Sequence, residues 1–130
     1  MSLATVLSRA IVGVNAPLVT VEIHLANGLP AFNLVGLPEA EVRESKERVR
    51  AAILNSGFDF PNRRITVNLA PADLPKESGH FDLPIAIGIL IASQQLNAKH
   101  LDTIEFAGEL ALDGTLRAAR GSLAMAVEAT

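Results

Sequence analysis

Residues 67–91, VNLAPADLPKESGHFDLPIAIGILI, decide the fold of this chain. The stretch begins as a strand, passes through a polar loop at 71–80 and enters a helix whose residues 83–92 are almost all apolar. A helix without a polar face must be buried on most of its sides. Loops held on a rigid scaffold often carry function, so this loop is also the first place to look for chemistry.

The start and the middle of this helix carry their own signals. Asp82 is a candidate N-cap, and Pro84 falls in the first turn, where its missing N–H is tolerated. Gly88 in the middle costs about 1 kcal/mol relative to alanine. We therefore expect a neighbouring group to approach the helix closely at Gly88.

The chain before this stretch predicts three strands. Residues 2–12 are largely apolar, and residues 18–26 alternate between apolar and polar side chains, a period of two typical of a half-buried strand. Asn27-Gly28 is a strong signal for a two-residue hairpin, because both positions tolerate positive φ. With residues 31–35 as the third strand, the prediction is a three-stranded meander.

A helix and a fourth strand come next. Pro38 is predicted to open the helix at its first position, and Gly57 is predicted to end it as a left-handed cap. Val49 and Ile53 recur at helical spacing and should face the sheet. Residues 64–69 alternate again and predict a strand.

The remainder predicts two more strands, at 103–112 and 115–118, joined by a type I′ hairpin at Asp113-Gly114, and a helix from Ser122 onward. The order β-β-β-α-β-α-β-β-α predicts an α+β, two-layer sandwich with a mixed sheet and helices on one face. The last helical pattern runs into Thr130 without a cap. We therefore expect residues 1–130 to form a single domain, truncated within its last helix, of a longer protein.

Composition limits the class of protein. The chain has 130 residues, 49% of them apolar and 19% charged, no cysteine and a net charge of −3. These values predict a globular domain without disulfides and with no general attraction to anionic membranes. Residues 1–20 lack the pattern of a signal peptide, and the longest apolar run is too short to span a bilayer. We expect a cytoplasmic protein with no membrane partner.

The motifs of enzymes and metal sites are weak. No Gly-Lys pair is present, which excludes a P-loop within these residues. Ser78 with Lys76 and His80 could be a nucleophile and its activating groups, but hydrogen bonds that hold the loop are the favoured explanation. Potential metal ligands show no ligand spacing, so solvated or capping roles are favoured for them. They are His24, Glu77, His80, Asp82 and His100.

Six of the eleven cationic residues lie within 22 residues and could contact phosphates. Five carboxylates dilute them and no aromatic platform is evident alongside, so a solvated helix face is favoured and a nucleic-acid contact stays an alternative. The six are Arg43, Lys46, Arg48, Arg50, Arg63 and Arg64. Glu105, Glu109 and Asp113 are interpreted as surface charge on the last hairpin.

Three long runs carry a family resemblance. NGLPAFNLVGLPEAEVRESKERVRAAI (27–53), ITVNLAPADLPKE (65–77) and FDLPIAI (81–87) closely resemble the start of the bacterial magnesium-chelatase-like AAA+ ATPases of the ComM and YifB type. The resemblance covers essentially the whole chain. It implies a AAA+ module after residue 130 that binds ATP and Mg²⁺, neighbouring subunits in a ring, and action on DNA such as branch migration in transformation.

The first domain of that family is in turn similar to the proteolytic domain of Lon and the C-terminal domain of RadA. This similarity implies a left-handed β-α-β crossover and a place for a Ser-Lys dyad. The serine position falls near His80 and the lysine position at Leu123, so neither dyad member is present and no protease mechanism transfers.

The resemblance therefore predicts a domain that is not an enzyme and has no cofactor of its own. We expect it to serve ring assembly or DNA guidance. Two alternatives stay open: direct nucleic-acid binding through the Arg43–Arg64 cations, and residual hydrolysis of the Ser/Lys type that uses Ser78, Lys76 or His80. The loop residues Lys76, Glu77, Ser78 and His80 are predicted to contact a partner.

Overall fold

A four-stranded mixed sheet and two helices make up the structured core. The computed structural model describes residues 2–12, 15–71, 79–99, 101 and 103–117. The order of strands in the sheet is β1-β2-β4-β3, so the protein is α+β, as predicted. In chain order the elements are β1 (Ser2–Arg9), β2 (Leu18–Ala26), β3 (Ala31–Val35), α1 (Glu39–Asn55), β4 (Arg64–Ala70) and α2 (Asp82–Ala92).

The two central strands, β2 and β4, bury one face completely. On β2 every second side chain from Val19 to Leu25 has no exposed surface, while the residues between them are exposed or half-buried. On β4 the same is true from Ile65 to Leu69. A strand with one dry and one wet face belongs in a sheet covered on one side. Helix α2 contacts β1 and β2, and α1 contacts α2 and β3.

The predicted meander is wrong. Strands β1 and β2 pair antiparallel, from Ser2 opposite Leu25 to Arg9 opposite Leu18, but β3 does not pair with β2. Strand β4 lies between them, antiparallel to β2 and parallel to β3. Asn27-Gly28 therefore turns the chain without forming a hairpin. The reason is burial: β4, with its fully buried face, takes the central place, and the five-residue β3 is left at the edge.

Strands β3 and β4 with the intervening α1 form a β-α-β unit between parallel neighbours. This arrangement is the unit that the family resemblance implies. Its left-handed crossover stays a prediction.

Helix α1 ends as predicted and begins one residue later than predicted. Pro38 is the N-cap, with an extended ψ of 146°, so the first helical residue is Glu39. At the other end Gly57 has a φ of +87°. The Gly57 N–H donates to Leu54 O at 3.2 Å and the Phe58 N–H donates to Ile53 O at 3.2 Å, the paired bonds of a Schellman motif.

Gly88 of α2 lies where another group approaches, as predicted. A Cβ atom built on it would lie 2.0 Å from Cδ1 of Ile23, a buried residue of β2. The glycine thus lets the helix sit close to the sheet, and Ile85 and Ile89 on either side are fully buried.

The predicted strands after α2 are wrong. Within residues 103–117 the structure has isolated bridges, Leu7 with Glu105 and Leu110 with Leu116. The loop at Asp113-Gly114 is also one residue longer than a type I′ turn: the Ala111 N–H donates to Thr115 O at 2.8 Å, and of the two residues only Gly114 has positive φ (+93°). The helix predicted from Ser122 lies outside the described residues.

Among the described residues, no helix combines the length and the apolar character needed to cross a membrane.

Candidate functional site

The start of α2 holds a buried carboxylate with three hydrogen-bond donors around it. Asp82 has no exposed surface and is not the N-cap that was predicted, since Phe81 holds that position. Ser45 Oγ donates to Asp82 Oδ1 at 2.6 Å, and Arg48 Nε donates to Oδ2 at 2.6 Å. The backbone N–H of Leu110 donates to Oδ2 at 3.2 Å. This cluster, the Asp82 hub, ties α1, α2 and the segment at Leu110 together.

The charge of Asp82 is neutralised by Arg48. Burial by itself lowers the pKa of Arg48, but the hydrogen bond and charge of Asp82, with the charges of Glu109 and Glu44, outweigh it and raise the pKa above its ordinary value. Glu44, one helical turn before Arg48, lies 3.8 Å from it but is largely exposed. Arg48 therefore belongs to the Asp82 hub rather than to a solvated helix face, and its role as a possible nucleic-acid contact stays a prediction.

His80, at the position where the resemblance places the catalytic serine, is buried. Its Nε2 lies 2.8 Å from the carbonyl oxygen of Arg9. Because a carbonyl only accepts, Nε2 carries the proton in this contact. Its ring meets Phe81 edge to face, with the centroids 5.0 Å apart. His80 is therefore not an exposed residue of the loop. Lys76, Glu77, Ser78 and Leu123 lie outside the described residues, and a partner contact there stays a prediction.

The chain is fixed firmly around His80. The Gly108 N–H donates to His80 O at 2.9 Å, and the Leu83 N–H donates to Gly108 O at 3.0 Å. Arg9, whose carbonyl oxygen contacts His80, also forms a bidentate ion pair with Glu105 through its side chain, at 2.5 and 3.1 Å. Glu105 is thus a structural partner rather than free surface charge.

The potential metal ligands do not gather in the described part of the chain. No three side chains of the ligating types come together there. His24 lies on β2 opposite Thr66, whereas Asp82 is occupied by Ser45 and Arg48. Glu77 and His100 are outside the described residues.

A second site lies where β3 and β4 begin. These strands are parallel, with Ala31 opposite Arg64, so they begin at the same end of the sheet. Residues 30–32 and residues 60–63 therefore meet there. Together with Arg50 of α1 they line a cleft of about 210 Å³, which we call the aromatic cleft. Phe32 and Phe60 lie inside it with ring centroids 5.5 Å apart and planes at 44°.

Cations surround the two rings of the aromatic cleft. The guanidinium of Arg50 lies 5.0 Å from the centroid of Phe60, and Nζ of Lys46 lies 5.8 Å from the centroid of Phe32. Both distances are within the range of cation–π attraction. The expectation that no aromatic platform accompanies the basic residues was wrong. The two rings are 28 residues apart in sequence and come together only through the parallel pairing.

The structure divides the predicted basic group. Lys46, Arg50 and Arg63 lie at the aromatic cleft, while Arg48 turns to Asp82. Arg43 is exposed on α1, and Arg64 is exposed at the start of β4.

Arg63 is incompletely satisfied. Its Nη2 donates to Asn27 Oδ1 over a long 3.4 Å, and its Nε is buried without a hydrogen-bond partner among the described residues. Because Nε is shielded from solvent, an acceptor from outside would meet the Nη atoms of this guanidinium.

Comparison with known proteins places the chain among relatives that share most of its length. Residues 21–130 match the model of the family described as the ChlI subunit of Mg-chelatase. The chain is 65% identical over 121 residues to competence protein ComM of Haemophilus influenzae, which covers 93% of this chain and 24% of that protein. It is 57% identical over 129 residues to the uncharacterized protein YifB of Salmonella typhimurium, covering 99% of this chain and 26% of that protein.

A more distant relative is the uncharacterized protein Rv2897c of Mycobacterium tuberculosis, 41% identical over 123 residues, or 95% of this chain and 24% of that protein. The chain thus spans about a quarter of the length of the curated relatives it matches.

Proposed function

This chain belongs to the family of the ChlI subunit of Mg-chelatase, with ComM and YifB as close homologues, and on that premise we propose that it is a non-catalytic accessory domain of a AAA+ ATPase that acts on DNA. In this proposal the domain has a Lon-like fold and serves ring assembly or DNA guidance in the cytoplasm. ATP and Mg²⁺ bind in a AAA+ module outside these 130 residues. The action on DNA is branch migration in transformation, by resemblance to ComM.

The observation that supports a non-catalytic role most directly is the Asp82 hub. A nucleophile needs an adjacent base or a lowered pKa to react. At the start of α2, the carboxylate of Asp82 is saturated by Ser45, Arg48 and a backbone N–H, and His80 is buried against a carbonyl. In this proposal these groups serve to hold α1, α2 and the segment at Leu110 together. The fold is then a scaffold that presents surfaces.

The accessory role is tested on the full-length protein and on a form that lacks residues 1–130. Light scattering after gel filtration measures the assembly, and a labelled branched DNA measures branch migration. We expect the shortened form to lose ring assembly or DNA processing. The matched control is full-length Glu44→Gln, a change at an exposed position, which should behave like the parent. Unchanged assembly together with unchanged DNA processing in the shortened form would refute the proposal.

Residual hydrolysis is tested separately with a serine-reactive phosphonate probe and an unfolded protein substrate. We expect no covalent label and no cleavage. A label that disappears in Ser78→Ala would show that the non-catalytic assignment is wrong.

A further inference from the structure

The rings of the aromatic cleft are preorganised for a flat ligand. Phe32 and Phe60 are partly buried and pack against the hydrophobic core, so the core holds them in place from behind. Phe32 lies in β3 opposite Ile65 of β4, and Phe60 lies just before β4, so the ladder between the two strands fixes their separation. A site whose aromatic side chains are already ordered loses little conformational entropy when a ligand binds.

The charges of the aromatic cleft have one sign. Residues 30–32, Arg50 and residues 60–63 include two arginines and no carboxylate, and Lys46 lies over Phe32. The nearest acidic residues in sequence, Glu47 and Asp59, do not line it. The backbone of Asp59 is clamped to Gln95, whose Oε1 accepts from its N–H at 2.8 Å. The protein as a whole carries −3, so these cations are a local feature and not a sign of a generally basic chain.

We propose that the aromatic cleft binds an unstacked base of a single-stranded nucleic acid. The base replaces Lys46 and Arg50 over the ring faces, and these two cations, together with Arg63, pair with the phosphates beside it. Aromatic rings next to cations that follow a backbone are the combination by which proteins hold single strands without reading sequence. A duplex keeps its bases stacked inside and has none to offer to the rings. An acidic peptide would use the cations but has no need of the two phenylalanines.

Arg63 fits this ligand through its Nη2. That atom donates to Asn27 Oδ1 over a long 3.4 Å, and a phosphate oxygen, a stronger acceptor, can take the place of the amide in a charge-assisted hydrogen bond. Because two or three phosphates would be neutralised, the affinity should fall about 7- to 18-fold between 50 and 200 mM salt, the fall expected from counterion release on a single strand.

This inference deepens the DNA-guiding part of the proposed function and rests on it. The test uses this chain alone, without ATP or a ring. If the chain fails to bind DNA, the cleft assignment is overturned. The ring-assembly test on the full-length protein does not depend on that result.

The experiment measures fluorescence anisotropy of a labelled twelve-nucleotide oligothymidylate titrated with the chain. Phe60→Leu keeps an apolar side chain but removes the ring face, and it should weaken binding roughly 5- to 150-fold, the range that stacking of one base supports. Arg63→Gln should weaken binding and reduce the salt slope. Arg43→Gln is the matched control, because it removes an exposed cation of α1 outside the aromatic cleft and should leave the affinity within about twofold.

Competitors identify the chemistry of the ligand. An oligonucleotide with abasic sites and a duplex of the same length should both compete poorly, and polyglutamate should not compete. Abasic DNA that competes equally, or polyglutamate that competes as well as DNA, would overturn the proposal in favour of a site for phosphate or for an acidic peptide. Equal effects of Arg43→Gln and Arg63→Gln would show a diffuse basic surface and refute it too.

Thermal melting checks that each variant is folded. If Phe60→Leu unfolds the chain, Arg50→Gln and Arg63→Gln leave both rings intact and decide the question through the same titration.

Discussion

Arg48 places its Nε 2.6 Å from Oδ2 of Asp82, a residue 34 positions further along the chain whose side chain has no exposed surface. The pair joins the middle of one helix to the first residue of the other. It commits one arginine from a run of basic residues to a contact inside the fold. It also shows that a fully buried acid at the start of α2 serves to hold the fold together.

Breaking this pair should be strongly destabilising. Arg48→Met leaves a buried carboxylate without its counter-charge, and we expect it to lower the free energy of unfolding by about 3–5 kcal/mol. Urea denaturation followed by circular dichroism measures the change. The control Glu44→Gln removes a largely exposed partner of the same arginine and should change stability by less than about 1 kcal/mol. Equal effects of the two substitutions would contradict the role given to Asp82.

Gly88→Ala should destabilise the contact between α2 and the sheet. The new Cβ would lie 2.0 Å from Ile23 Cδ1, and overpacking of this kind costs about 1–3 kcal/mol, against a gain in helix propensity of about 1 kcal/mol. Ile23→Val removes Cδ1, the nearer of the two clashing atoms, and leaves Cγ1, which is 2.9 Å from the new Cβ. We expect the double variant to be less destabilised than the sum of the two single variants, as judged from their urea midpoints. Strict additivity would contradict the contact.

Gly57→Ala should act through the backbone alone. A Cβ at Gly57 would meet nothing within 4 Å, but its φ of +87° is in the left-handed region, which costs an alanine about 1–2 kcal/mol. Gly57→Asn, a residue that tolerates this region better, should be less destabilising in the same thermal or urea melt. If both variants matched the parent, the Schellman motif would not be contributing to the end of α1.

The turn at Asp113 should respond to acid. The pKa of Asp113 is lowered, first by the hydrogen bond from the Thr115 N–H and then by that from Thr115 Oγ1, at 2.9 and 2.7 Å. A lowered folded-state pKa means that this contribution to stability is fully present above the ordinary value of 3.8 and is lost as the pH falls through the lower, folded value.

Carbon-detected NMR of the carboxyl group measures this titration. In Thr115→Val the hydroxyl donor is gone while the backbone donor remains, so the midpoint should move partway back toward the ordinary value. A midpoint at or above the ordinary value in the parent chain would contradict the hydrogen bonds at this turn.

As far as the end of α2, local patterns predicted the elements well and their neighbours poorly. The alternation in residues 18–26 and 64–69 identified two strands and the face that each buries, because side-chain direction follows from the chain itself. The same alternation says nothing about which strand lies alongside, and the Asn27-Gly28 signal favoured the wrong neighbour. Pairing depends on which strands bury the most surface, and this is a property of the whole fold.

Both candidate sites depend on contacts that are distant in sequence. Asp82 was interpreted as an N-cap from its residue type and its place at the start of α2. Its actual partners in α1 are 34 and 37 residues away, so the local sequence gives no sign of them. Phe32 and Phe60 could have been linked by noting that each lies near the beginning of a strand and that a β-α-β unit makes such strands parallel. That step needed the correct strand pairing, which the meander prediction did not supply.

The distances along the chain that the Asp82 hub spans also bear on the order of folding. Its hydrogen bonds close segments of 34 and 28 residues, one to Arg48 and one to Leu110. The entropy of closing such segments is lost before the contacts can offset it, which favours late formation. We therefore expect the hub to be absent from the folding transition state. Changes that strengthen it would prolong the lifetime of the native state without speeding its formation.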